Sequence, residues 1–96
     1  MKIAIYGRTN GQNDIEEQVK KCRKYAQQNN YEIEKEFVDD LKTKGSSFEQ
    51  LIEAAADFDG VVMQDSARLS RNALEREGKM QMLREAGLET MFLNNN

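Results

Sequence analysis

The sequence predicts an α/β fold: a mostly parallel four-stranded sheet with elements in the order βαβαβαβ. Three observations carry that reading. Ile3-Ala4-Ile5-Tyr6 and Val61-Val62-Met63 are short, unbroken apolar runs, the pattern of strands covered on both faces. Between the predicted strands, apolar residues recur at helical spacing. Polar loops containing arginine follow both runs, at the sheet edge where open α/β folds place their ligands.

Each element can be read in turn. The first strand ends at Gly7, and its exit carries Arg8, Thr9 and Asn10. After the loop Gly11-Gln12-Asn13, Asn13 and Glu16 are spaced as a capping box. Ile15, Val19, Cys22 and Ala26 then form the inward stripe of a first helix, which ends at Asn29-Asn30. Tyr31, Ile33 and Phe37 alternate with Glu32, Glu34 and Glu36. That alternation predicts a second strand with one wet face, at the sheet edge. A polar loop from Asp39 to Ser47 leads to a short second helix, with Ser47 as N-cap and Leu51, Ile52 and Ala55 facing inward. Asp57-Phe58-Asp59-Gly60 turns the chain into the third strand. A third helix is capped by Ser70 or Asn72, with Leu74, Gly78, Met82, Leu83 and Ala86 available to pack and Gly87 as its stop. Leu88 to Leu93 reads as the last strand, with Asn94-Asn95-Asn96 as a tail.

Composition narrows the function. Ninety-six residues suit one domain, 1–96, with no separate DNA-binding module. No run approaches the roughly 18 apolar residues of a membrane span, and no signal-peptide pattern opens the chain. A cytoplasmic protein with no membrane partner is expected. The single cysteine excludes an internal disulfide, and the absence of histidine argues against zinc. No metal or cofactor is expected. A net charge of −3 argues against a general nucleic-acid binder while leaving room for a local basic cluster.

If the first and third strands are neighbours, Arg8, Arg68 and Arg71 share the carboxyl edge of the sheet. Three guanidiniums beside helix N-termini suit a phosphate, whose oxygens match their planar donor forks. The bland alternative pairs these arginines with Asp39, Asp40 or Asp65 across a solvated rim. Cys22, on the buried stripe, reads as a small hydrophobe.

Tyr6-Gly7-Arg8-Thr9-Asn10, Glu17-Gln18, Phe37-Val38-Asp39, Gly45 and Ala67-Arg68-Leu69-Ser70-Arg71 together resemble the catalytic domain of serine site-specific recombinases, the resolvase/invertase family. The resemblance runs from Met1 to about Leu93 and implies a resolvase-like three-layer fold. It also implies DNA strand exchange, in which a serine attacks a phosphodiester while arginines hold the phosphate and neutralise transition-state charge. Carried over, Arg8, Arg68 and Arg71 match the phosphate-binding arginines, Gln18 a supporting glutamine and Asp39 the acidic residue ending the second strand.

Three positions depart from the pattern. Asn10 stands at the family's nucleophile position, and a carboxamide cannot be activated for attack on phosphorus as a hydroxyl can. Ala67 replaces an aspartate, and Phe48-Glu49 stands where the family has Arg-Pro. The expectation is therefore a catalytically impaired homologue. Its expected partners are the DNA phosphate backbone, held weakly or indirectly, and a full-length recombinase or further copies of itself, with Met80, Met82 and Met91 as candidate contact residues, although methionines at this spacing are more often core filler. An active enzyme using Thr9 or Ser70 is a second possibility. A small flavodoxin-like phosphate- or nucleotide-binding module is a third, although the first loop lacks both the P-loop lysine and the GxGxxG spacing.

Overall fold

The computed structural model describes residues 1–9 and 15–94. Four strands, β1 (Lys2–Arg8), β2 (Glu32–Asp39), β3 (Gly60–Met63) and β4 (Glu89–Phe92), form one sheet in the order β2-β1-β3-β4. Every pairing is parallel. The fold is the α/β arrangement expected from the sequence, with β1 and β3 side by side at its centre. Three helices, α1 (Ile15–Gln28), α2 (Ser46–Glu53) and α3 (Ala73–Glu85), make the crossovers.

The apolar runs are unbroken because both sheet faces are covered. Ile3, Ile5 and Val62 face one way and pack with Val19, Cys22 and Ala26 of α1. Ala4, Tyr6, Val61 and Met63 face the other way, against Phe48 and Leu51 of α2, Leu69, and Leu83 of α3. The result is three layers, α1 on one side of the sheet and α2 with α3 on the other. At Gly60 the neighbouring strand comes so close that a Cβ would lie 2.8 Å from the Glu89 carbonyl oxygen, so no larger residue fits without movement. Gly87 stops α3 as expected. It takes φ +82°, and the Leu88 N–H bonds the Leu83 carbonyl at 3.0 Å in a Schellman closure.

Four local expectations need correction. First, β2 is an edge strand, but its alternation is broken. The register with β1 shifts between Ile3↔Ile33 and Ala4↔Lys35, so one extra residue is accommodated there. Ile33 consequently packs on the α1 face and Phe37 on the α2 face, not together. Second, Ser47 does not cap α2. Gly45 occupies the N-cap without a side-chain bond, and the Ser47 N–H instead reaches the distant carboxylate of Asp39. Third, of the residues offered for packing on α3, Leu83 is buried and Ala86 partly so, whereas Leu74 is 84% and Met82 42% exposed. Fourth, the last strand is shorter than Leu88–Leu93. Asn72, and not Ser70, caps α3, its Oδ1 accepting from the Leu74 and Glu75 N–H groups at 2.9 and 3.1 Å. Asn13, half of the expected capping box, lies outside the described residues.

Candidate functional site

The site is built where β1 ends. Gln18, on the first turn of α1 and 1% exposed, holds the Arg8 backbone from both sides. Its Oε1 accepts from the Arg8 N–H at 3.1 Å, and its Nε2 donates to the Arg8 carbonyl at 2.9 Å. The amide therefore acts as a surrogate strand at the point where β1 loses its neighbour. Gln18 supports the position of Arg8 through the backbone and offers no group of its own to the edge.

Because β3 lies beside β1, its exit loop reaches the same place. Arg68 donates from Nη1 to the Arg8 carbonyl at 2.8 Å, and its Nε forms an ion pair with Asp65 Oδ1 at 3.1 Å. The Arg8 guanidinium crosses in the opposite direction and donates from Nη1 to the Leu69 carbonyl at 3.3 Å. The two loops are thus tied by reciprocal arginine-to-carbonyl bonds. Arg71 is exposed, with no hydrogen bond or ion pair among the described residues. The structure brings Arg8 and Arg68 together and leaves Arg71 on the solvent side of the same exit. Among the described residues, the solvated-rim alternative is realised for Arg68, through Asp65. Asn10 lies outside the described residues.

Asp39 ends β2 and is 1% exposed. Four donors converge on its carboxylate: the Tyr6 hydroxyl at 2.6 Å, the Thr43 hydroxyl at 2.6 Å, and the N–H groups of Ser47 and Phe48, both at 2.9 Å. Those two N–H groups belong to the first turn of α2, whose positive end favours an anion. Burial alone would raise the Asp39 carboxyl, but the bonds from Thr43, Tyr6, Ser47 and Phe48 outweigh it and hold the group below its ordinary value. The Tyr6 phenol is pushed far up, first by burial and then by its bond to and the charge of Asp39, with Arg8 pulling weakly the other way. Asp39 is a remote helix cap, and all of its acceptor capacity is occupied.

Two cations at this edge escaped the sequence reading. Lys79, from the middle of α3, donates from Nζ to the same Leu69 carbonyl at 2.9 Å and stands 5.2 Å above the Phe48 ring. Arg76, one turn earlier, donates to the Ser70 carbonyl at 3.2 Å. The signal was present in the helical phase. Lys79 lies four residues and Arg76 seven before buried Leu83, so all three share the inward stripe. Burial, and then the charge of Arg8, lower the Lys79 pKa. Phe48 is 2% exposed, packed edge-on against Tyr6 at 5.6 Å between ring centroids, and presents no polar group to the edge. Cys22 is buried, and desolvation followed by the charge of Glu36 pushes its thiol up to about 12. It is a core residue without thiolate character.

The structure is thus an open parallel sheet of strand order 2-1-3-4 with helices on both faces, and the carboxyl ends of its two central strands carry Arg8 and Arg68. The chain belongs to the family described as the resolvase N-terminal domain, whose model matches residues 3–96. Its fold is similar to that of the N-terminal catalytic domain of TP901-1 integrase. There the TM-score is 0.85 at 24% identity, over 98% of this chain and 78% of that one. A resolvase family site-specific recombinase from Streptococcus pneumoniae superposes with TM-score 0.86 at 20% identity, over 97% and 72%. The C-terminal catalytic domain of ISC1926 TnpA, an IS607-like serine recombinase, gives 0.81 at 19% identity, over 100% and 69%. No curated protein sequence matches the chain. At these identities the structural likeness establishes the fold and not the chemistry.

Proposed function

We propose that this chain is a serine-recombinase catalytic-domain homologue that holds a DNA backbone phosphate at the Arg8 edge but does not cut the strand. The observation that carries the reading is the junction of Arg8 and Arg68 across the β1 and β3 exits, in a chain with Asn10 at the family's nucleophile position. Guanidiniums placed this way bind and orient a phosphate and stabilise charge on it. Without a hydroxyl at position 10, no oxygen is delivered to attack phosphorus. Ala67 and the buried Phe48 remove two further polar positions that the family resemblance implies.

The same reading assigns Arg71 to the phosphate edge and Gln18 and Asp39 to its support. Binding of duplex DNA would be weak, because the net charge is −3 and the cations are confined to one edge. Exposed Leu74 and Met82 on α3 support pairing with a full-length recombinase or with a second copy of this chain. Fluorescence anisotropy with a labelled duplex at low salt tests the binding arm. The wild type should bind and lose that affinity steeply as salt rises, and Arg8→Ala should bind at least tenfold more weakly. Equal affinity of the two proteins would refute the assignment of Arg8.

A further inference from the structure

We propose that Lys79 is a second cation of the phosphate seat, supplied by α3 and paired with Arg8 across the Leu69 carbonyl. This inference rests on the phosphate reading of the Arg8 edge and deepens it by naming a residue that reading does not contain.

The geometry is specific. Arg8 Nη1 and Lys79 Nζ donate to one and the same carbonyl oxygen, at 3.3 and 2.9 Å. Two positive groups are therefore gathered around a neutral acceptor, which orients them without cancelling either charge. Glu75 and Asp39 act on Lys79 through space, but the hydrogen bonds of the nearby carboxylates go to other groups. Asp39 is saturated by Tyr6, Thr43 and the N–H groups of Ser47 and Phe48. Asp65 is held by Arg68. Glu75 accepts from the Ser70 hydroxyl at 3.3 Å. Among the described residues, neither Arg8 nor Lys79 forms an ion pair.

Phe48 explains why the ammonium stays at this place. Its ring lies under Nζ at 5.2 Å and offers a π face that attracts a cation while leaving the outward hydrogens free. A phosphate has several oxygens and can accept from both cations at once, one through the planar fork of Arg8 and one through the point charge of Lys79. The mutual repulsion of the two cations, together with the partial burial of Lys79, is a cost in the unliganded protein that a bound dianion or phosphodiester relieves.

The test uses the whole chain with inorganic phosphate as the probe, read by NMR at the Leu69 and Ser70 amides and the Phe48 ring protons. The wild type should show saturable shifts. Lys79→Met should weaken the apparent affinity at least tenfold, Lys79→Arg should retain most of it, and Lys24→Met, on α1, should leave it unchanged. Circular dichroism of each variant checks folding, and Lys79→Arg keeps the test decisive if the methionine variant unfolds. Absence of shifts in the wild type, or equal affinity in Lys79→Met, would overturn the proposal. A second arm measures duplex affinity against salt. Loss of one phosphate contact should reduce the slope of log K against log salt by roughly 0.9 in Lys79→Met. Phosphate binding through Lys79 with no duplex binding would sink the DNA reading and leave this one standing. Duplex binding with an unchanged slope in Lys79→Met would do the reverse.

Discussion

Two charged clusters lie side by side on this molecule and are satisfied in opposite ways. Around Asp39, one buried carboxylate receives four donors, and nothing remains for a ligand to bond. Around Arg8, cations lean on backbone carbonyls, which fix their positions and leave their charge intact. The first arrangement stabilises the fold by joining β2, β1 and α2. The second gathers like charges of which, among the described residues, Arg68 alone has an ion pair, to Asp65, and incompletely paired charge of this kind marks a candidate binding edge. Asp39, which the family resemblance places in the site, is bonded here as a helix cap, whereas Arg8 beside it bonds a backbone carbonyl and forms no ion pair among the described residues.

The largest effect should therefore come from the satisfied cluster. Replacing Asp39 by Ala leaves a buried tyrosine hydroxyl and two N–H groups of a helix's first turn without their acceptor. That should cost about 3 kcal/mol, or roughly 15 °C in melting temperature for a domain of this size. A melting temperature within a few degrees of the wild type would show that the cluster is not the structural one. The same carboxylate should govern the acid limb. Its pKa is lowered in the fold, so its contribution is complete above the ordinary value of 3.8 and is lost as pH falls through the lower folded-state value. In urea titrations, the gap in unfolding free energy between wild type and Asp39→Asn should shrink below that pH. A gap that persists unchanged into strong acid would contradict the protonation account.

A smaller loss, about 1 kcal/mol, is expected for Tyr6→Phe, which removes one of the four donors and keeps the ring packed against Phe48. Chemical denaturation would detect it. A loss as large as that of Asp39→Ala would mean that the phenol, and not the carboxylate, organises the cluster. The smallest effect on stability belongs to the arginine side. Arg71→Ala should change unfolding free energy by less than about 0.5 kcal/mol, because the residue is exposed. It should nonetheless reduce the salt slope of duplex binding by roughly 0.9. A stability loss without a change in slope would reverse the distinction between the two clusters.

Much of this was legible in the residues. The unbroken apolar runs at Ile3–Tyr6 and Val61–Met63 announce strands buried on both faces; the shared edge of Arg8 and Arg68 followed only if those strands were neighbours, which the sheet order shows. What was not legible depended on contacts across the chain. The shifted register of β2 separates Ile33 from Phe37 although the sequence alternates regularly, because a parallel register is set by the neighbouring strand. The cap of α2 comes from Asp39, well outside the window in which capping residues are sought, so Ser47 looked like the better candidate. Leu74 and Met82 fit a helical stripe but are exposed in the fold. A lysine on a helix ordinarily reads as solvated, yet the phase of Lys79 relative to Leu83 places it inward.

On the proposed function, the phosphate-holding half of the site persists without the cutting half. The most direct measurement incubates the wild-type chain and Asn10→Ser with a labelled, nicked duplex and compares native with denaturing gels. Binding visible in the native gel that disappears completely on denaturation, for both proteins, is the predicted result. A protein–DNA adduct of the wild type that survives denaturation would contradict it.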